Sequence, residues 1–373
     1  MHLPDADPGS VARGWLEAAD LPTGHLERLP VVVIEGGEPG PTAWVTGGVH
    51  GNEVTGVAAA QDVAEAFVDG PAIEKRHERQ NATRVGVVDP AALRGRIVCV
   101  PVVNPAGLRR TSRGSYYHDE DPNRAFPDPT EDAAVGPTVQ ERVAERLYDA
   151  FADADLLVDL HTAGAHSVPF VIRHRVLYGD LRSEREARAL SASLDRLEEA
   201  LEIPVVNHYP PSEYVERGLH RSMVGAAVNG ADVPAVTVEL GGHGTVDPAA
   251  RAAGVAEVFR ALVTFDMLES VPQPVDRDAP SYDEPVDFRT RRYRGPRTST
   301  AGIVRHRVAA GDVVEEGEVI ADVRATTGEL LESVETDHDG YVLGHRIGAA
   351  VYENDAVASM AVRDDEPPVG ERP

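Results

Sequence analysis

Only one lysine, Lys75, occurs in the 373 residues, so arginine supplies nearly all of the positive charge. Positive charge is itself scarce: 36 basic residues face 62 acidic ones, for a net charge of −26 and a pI near 4.9. Such a surface repels phosphate backbones and anionic lipid, which excludes nucleic acid and membrane as natural partners. The single cysteine, Cys99, rules out an internal disulfide. It sits in the apolar run Ile97-Val98-Cys99-Val100 and reads as a buried structural thiol rather than a nucleophile. No apolar run approaches the roughly 18 to 20 residues that span a bilayer. The opening residues Met1 to Asp7 lack a basic segment followed by an apolar one, so the expected location is cytoplasmic. The acidity is dispersed along the chain. With so little lysine, this resembles proteins of salt-loving organisms, in which high salt screens self-repulsion. A GC-rich genome that writes Arg for Lys is the plainer alternative.

Hydrophobic residues make up 42%, enough for a sizeable core. Residues 1 to about 30 have weak periodicity and read as an irregular lead-in. Strand patterns cover Val31–Ile34, Thr42–Thr46, Arg96–Val103, Leu156–His161, Val168–Arg173 and Ala235–Leu240. Helix patterns cover about Val54–Val68, Thr138–Ala152, Ser183–Leu201 and Pro248–Leu268. A polar loop runs from Asn104 to about Gly136. Strands alternating with helices predict an α/β domain over 1–270, a mixed central sheet with helices on both faces. Residues 271–290, rich in Pro and Asp, read as a linker. Residues 291–363 read as a small all-β domain, and 364–373 as an acidic tail.

Four motifs carry chemistry. In His50-Gly51-Asn52-Glu53, a His and a Glu three residues apart sit at a strand-to-helix junction, where Gly47, Gly48 and Gly51 permit tight turns. Asp159-Leu160-His161-Thr162 ends an apolar strand, and strand carboxyl ends are where α/β sheets bind ligands. Two His and one Glu form a three-ligand set that leaves a fourth zinc position open. Taken singly, each would read as a turn residue or a capped, satisfied core His. The loop supplies Asn104-Pro105, Arg109-Arg110-Thr111-Ser112-Arg113 and Asp121-Pro122-Asn123-Arg124. Arginines clustered in so acidic a chain suit an anionic substrate, with surface ion pairs as the bland alternative. Glu239 interrupts an apolar strand just before Gly241-Gly242. A buried carboxylate there needs partners or a task, such as a general base; pointing outward from an edge strand is the alternative.

In this order these motifs resemble the succinylglutamate desuccinylase/aspartoacylase family, relatives of the zinc carboxypeptidases, over roughly residues 24–268 and on into a C-terminal β domain. The resemblance implies a zinc carboxypeptidase-like fold and one zinc ion per chain, held by His50, Glu53 and His161. It implies Glu239 as general base and Arg113 as the group that polarises the scissile carbonyl. Asn123 and Arg124 would grip the substrate carboxylate, and Asp159 would orient a ligand. The family's C-terminal tyrosine has Tyr352 as its candidate. The implied reaction is hydrolysis of the amide bond of a small anionic N-acyl amino acid, of deacetylase or desuccinylase type. A peptide-cleaving zinc carboxypeptidase and a non-catalytic metal- or ligand-binding protein are the rivals. Homo-oligomer formation is left open. The segment Gly302–Ala321, with Asp339–Leu343, resembles a barrel-sandwich hybrid of the biotinyl and lipoyl type. No lysine follows Lys75, which removes the attachment point a carrier needs. The domain is expected to shield the active-site mouth, shape substrate choice or support oligomer contacts.

Overall fold

The computed structural model describes residues 3–67, 88–131, 136–346 and 348–373. Val68 and Lys75 lie outside the described residues. The first part of the chain supplies β1 (Ser10–Asp20), β2 (Leu26–Glu35), β3 (Glu38–Gly47), β4 (Arg94–Val100), β5 (Leu156–His161), β6 (Phe170–Arg173), β7 (Val176–Tyr178), β8 (Val205–Asn207) and β9 (Ala235–Glu239). Then follow β10 (Thr290–Arg294), β11 (Gly302–His306), β12 (Val313–Val314), β13 (Val319–Arg324), β14 (Leu330–Glu335), β15 (Gly340–His345), β16 (Ala350–Val351), β17 (Ala358–Arg363) and β18 (Val369–Glu371). The longer helices are α1 (Val54–Ala66), α2 (Val139–Phe151), α3 (Glu184–Ala200), α4 (Met223–Gly230) and α5 (Pro248–Thr264). Reciprocal capping boxes start α2 (Thr138 with Glu141) and α3 (Ser183 with Glu186), and Asp247 followed by Pro248 starts α5.

Twelve strands form one mixed sheet in the order β1-β2-β4-β3-β5-β9-β6-β8-β10-β17-β15-β12. Its centre, β4-β3-β5-β9, is parallel. Parallel strands are covered on both faces, and the side-chain alternation shows by what. Trp44 of β3 packs edge-on against Phe151 of α2, with ring centroids 6.2 Å apart. One residue on, Val45 pairs with Cys99 of β4, whose thiol donates to the Ala60 carbonyl of α1 at 3.2 Å. Helices α1 and α2 therefore lie on opposite faces. Cys99 is fully buried and burial pushes its thiol up to about 12, so the expected structural role holds.

Two expectations are corrected. Residues 10–30 are not an irregular lead-in, because β1 and the first half of β2 lie there and pair antiparallel. Small Ala residues in β1 and Pro30 in β2 blur the period-2 signal, while the buried Leu16 and Leu29 meet in register. Nor is 364–373 a free tail. Strand β18 pairs in parallel with β7, and the buried Asp364 takes a two-pronged bond from Arg175 at 2.9 and 2.8 Å.

The C-terminal strands include a four-stranded sheet, β14-β13-β11-β16, and share an apolar cluster around Ile320, Val323, Val342 and Met360. This all-β region is continuous with the large sheet, because β10 pairs in parallel with β8. Within the expected linker, Gln273–Asp278 is a short helix. Among the described residues, no helix is long and apolar enough to cross a membrane.

Candidate active site

Three segments converge at the carboxyl end of the parallel strands. β5 ends on His161 and β9 on Glu239, and these two residues are register partners. His50 and Glu53 lie in the connection from β3 to α1, with Glu53 at the N-cap position of the helix. This connection runs hard against the turn Pro105–Leu108: a Cβ on Gly51 would lie 2.0 Å from the Gly107 carbonyl carbon. Only glycine allows that approach. Asn104 braces the same place, donating to the Val49 carbonyl at 3.2 Å and accepting from the Gly107 N–H at 2.8 Å.

Nδ1 of His50 lies 2.7 Å from Oε1 of Glu53, and Nδ1 of His161 lies 2.8 Å from Oε2. Each ring is held from behind by an aspartate. Nε2 of His50 is 3.0 Å from Asp121, and Nε2 of His161 is 2.6 Å from Asp159. Asp159 is fixed in turn by the Thr46 hydroxyl at 2.7 Å. Both imidazoles thus turn the same nitrogen toward one point, with a carboxylate setting ring orientation and tautomer. One donor atom from each of His50, Glu53 and His161 can be chosen so that all lie within 4.8 Å of one another, and all three residues are buried.

Electrostatics favour a cation at this point. Burial would raise the Glu53 carboxyl, but His50 and His161 overcome it and hold it well below the usual range. Burial works the same way on Asp121, and there His50 and Arg113 prevail and hold it low. His161 is pushed well above the usual imidazole value, with burial opposing and Asp159 and Glu53 prevailing. These groups interact as one network. Two nitrogens and a carboxylate, backed by two more carboxylates, are a donor set and a charge that a divalent ion such as zinc fits. A second cluster, Asp128, Glu131 and His220, fits less well, because Asp128 already accepts from Arg372 and Thr130.

The triad lines a cavity of about 730 Å³ together with Arg113, Asn123, Arg124 and Glu239. Arg113 donates to Asp121 at 2.7 Å and lies 3.5 Å from Glu53. Asn123 accepts from the Met223 N–H at 2.8 Å, which leaves its amide NH2 for the cavity. Arg124 donates to the carbonyls of Arg217 (3.0 Å) and Asn123 (2.6 Å). Glu239 is 7% exposed, and its Oε2 has no hydrogen-bond partner among the described residues. The structure therefore brings together His50, Glu53, His161, Glu239, Arg113, Asn123 and Arg124. It does not bring Tyr352 to them. That side chain is 75% exposed on the turn before β17, and it is absent from the cavity lining. The arginine cluster at 109–113 also divides, since Arg109 leaves the cavity and donates to the Tyr116 hydroxyl at 3.0 Å.

Sequence reasoning missed several lining residues. His243 donates from Nε2 to the Thr162 carbonyl at 2.9 Å and lies 3.7 Å from Glu53; its place straight after Gly241-Gly242 at a strand end was the available signal. The buried His174 and His208 had no such signal. Burial, aided by neighbouring positive charge, keeps both neutral, with His174 pushed down to about 3. Arg292 and Arg294, two apart on β10, share one face of that strand.

Fold and site define an α/β protein with a candidate metal site and a buried carboxylate beside it. Comparison with known proteins narrows the class. The model of the succinylglutamate desuccinylase/aspartoacylase catalytic domain matches residues 85–264. N-alpha-acetyl-L-2,4-diaminobutyric acid deacetylase of Halomonas elongata is 27% identical over 370 residues, covering 96% of this chain and 93% of that protein. Among solved structures, a succinylglutamate desuccinylase/aspartoacylase from Rhodobacter sphaeroides superposes with a TM-score of 0.71 at 22% identity, covering 98% of this chain and 99% of that one. The ectoine utilization protein EutE (DoeB) from Ruegeria pomeroyi, in a product-bound structure, gives 0.70 at 21% identity over 96% and 97%. Over residues 85–264 the chain matches the succinylglutamate desuccinylase/aspartoacylase catalytic domain, and along nearly its whole length it is similar to members of that family.

Proposed function

We propose that this chain is a zinc-dependent amidohydrolase that cleaves the amide bond of a small, anionic N-acyl amino acid. The observation that carries the reading is the buried Oε2 of Glu239, without a hydrogen-bond partner among the described residues, in the cavity lined by His50, Glu53 and His161 and on the residue paired in register with His161. A buried carboxylate oxygen without a hydrogen bond is costly to keep unless a ligand or a reacting water meets it. The likeness to the Halomonas elongata deacetylase supports an N-acyl amino acid as substrate.

One zinc ion per chain, held by His50, Glu53 and His161, would supply an acidified water, with a pKa near about 7, and a Lewis acid for the acyl carbonyl. Glu239 takes the proton of the attacking water and returns it to the leaving amine nitrogen. Arg113, anchored on Asp121, donates to the carbonyl oxygen as negative charge grows there, an effect worth about 3 to 4 kcal/mol in comparable sites. Asn123 and Arg124 hold the substrate carboxylate. The products are a carboxylic acid and a free amino acid or amine.

Residues 291–363 act here as a wall that shapes substrate choice. His345, Ala358 and Ser359 line the cavity beside the catalytic segment, which supports a small substrate over an extended peptide. The test is elemental analysis of the purified protein, followed by assays on N-acetyl and N-succinyl amino acids. About one zinc per chain, lost in His50→Ala and His161→Ala, is the expected result, together with deacylation. Folded protein with neither metal nor turnover would overturn the proposal.

A further inference from the structure

Glu27 is a buried acidic group that the reaction proposed above does not use. It lies near the start of β2 and is 4% exposed. A carboxylate taken out of water is costly unless hydrogen bonds or charges meet it. Among the described residues, the groups that meet its side chain come from the loop after β4. The Tyr117 hydroxyl, 90 residues later in the chain, donates to Oε2. Nη2 of Arg109 lies 3.9 Å from Oε1, and Nη1 of the same arginine donates to the Tyr116 hydroxyl at 3.0 Å. The rings of Tyr116 and Tyr117 lie 4.7 Å apart. Burial first, and then the bond to Glu27, hold the Tyr117 hydroxyl well above its ordinary value, so it keeps its proton and donates.

The same loop leads into the site. Residues 114–120 run from Arg113 to Asp121, and these two close the excursion at its base through their 2.7 Å ion pair. Asp121 in turn meets Nε2 of His50. Within the excursion the bonds are local: the Ser112 hydroxyl donates to the Gly114 carbonyl at 2.8 Å, and the Tyr117 N–H to the Ser115 hydroxyl at 3.2 Å. The Arg113 carbonyl accepts a long bond from the Gly51 N–H, at 3.4 Å. Among the described residues, the hydrogen bond that fastens 114–120 to the sheet is the one from Tyr117 to Glu27. Asn123 and Arg124 are fixed independently, on the Met223 N–H at 2.8 Å and the Arg217 carbonyl at 3.0 Å. Releasing the excursion would therefore free Arg113 and leave the carboxylate-binding pair in place.

We propose that Tyr117 and Glu27 are positioning residues: their hydrogen bond fastens the outer turn of the 114–120 excursion to β2 and so holds Arg113 where it meets the acyl carbonyl. This rests on the amidohydrolase reading. Neither residue lines the cavity of His50, Glu53 and His161; both line a separate one with Trp15 and Tyr116, so their effect on turnover passes through the loop. Arg113 serves the transition state, whereas Asn123 and Arg124 serve binding. A loosened tether is thus read in kcat rather than in KM.

The test uses metal-loaded protein and N-acetyl and N-succinyl amino acids. Tyr117→Phe keeps the ring and removes the donor. It should lower kcat about tenfold, as one hydrogen bond to a charged group allows, and change KM by less than about twofold. Glu27→Gln retains an acceptor and should keep most of kcat, while Glu27→Leu should behave like Tyr117→Phe. In an Arg113→Gln background, Tyr117→Phe should cost no further kcat, because nothing is left to position. A second readout needs no turnover: trypsin should cut after Arg113 severalfold faster in Tyr117→Phe, with metal content kept and Tm little changed. An unchanged kcat, a loss carried by KM, an equal further loss in the Arg113→Gln background, or unchanged cleavage after Arg113 would each overturn the proposal. If Glu27→Leu does not fold, Tyr117→Phe and Glu27→Gln still decide. Faster cleavage in Tyr117→Phe, with no turnover of any N-acyl substrate by the unaltered protein, would instead sink the amidohydrolase reading and the catalytic purpose of the tether with it.

Discussion

The two ends of the cavity are built with opposite electrical sense. At the inner end, Glu53, Asp121, Asp159 and Glu239 crowd around two imidazoles, and Arg113 pairs with Asp121 and Glu53. At the outer end, Arg292 and Arg294 line the wall with no carboxylate paired to them among the described residues. At the inner end His161 and Glu239 sit on strand termini and Glu53 at a helix cap, and the His50 and His161 rings are each held from behind by an aspartate. The outer end is assembled from elements far apart in the chain. In the proposed reaction a cation would sit among the carboxylates and an anionic substrate against the arginines, which puts bond-making precision at the first and discrimination at the second.

The largest test of the comparison removes a ligand at the inner end. His161→Ala should abolish stoichiometric metal binding and lower kcat/KM by about 10³-fold or more, read by elemental analysis and steady-state kinetics. Glu239→Gln should lower kcat by about 10² to 10⁴-fold while keeping the metal, which separates base from ligand. Metal lost together with activity in that variant would show Glu239 to be part of the donor set. Asp159→Asn should weaken metal affinity by about 10 to 100-fold in chelator competition, because it unties only the back of the His161 ring. The smallest effect belongs to the outer end. Arg294 is largely exposed, so Arg294→Gln should raise KM by about threefold with most of the change outside kcat. A large fall in kcat there would mean that the outer wall reaches the reacting atoms.

The inner end was legible in sequence because its residues come in short local patterns. His50 and Glu53 are separated by two residues in a glycine-rich turn, and His161 closes an unbroken apolar strand. Glu239 stood out for the same reason, as a charge inside Ala235–Leu240. The central strands and α1, α2, α3 and α5 followed from periodicity. The outer end was not legible. Nothing local tells that Arg292 faces the site, because that depends on β10 adding in parallel to β8 across a long separation. Tyr352 went astray for a related reason: a lone tyrosine in a turn carries no pattern that fixes its direction. Asp364 looked like one more acid in an acidic stretch. Only its meeting with Arg175, in the connection between β6 and β7 nearly 190 residues earlier, makes it a buried anchor.

The pairing of β8 with β10 bears on how the polypeptide emerges during synthesis. β8 ends at Asn207 and β10 begins at Thr290, so about 80 residues are made between one strand and its neighbour. Through that interval the growing sheet carries a bare hydrogen-bonding margin next to the future catalytic pocket. Such a margin is a template for pairing with other chains. The nascent protein is thus most vulnerable to misassembly after its chemical groups have been made and before the strand that seals them has arrived. Slower translation across this stretch, or truncation before Thr290, would lengthen that window and favour aggregation.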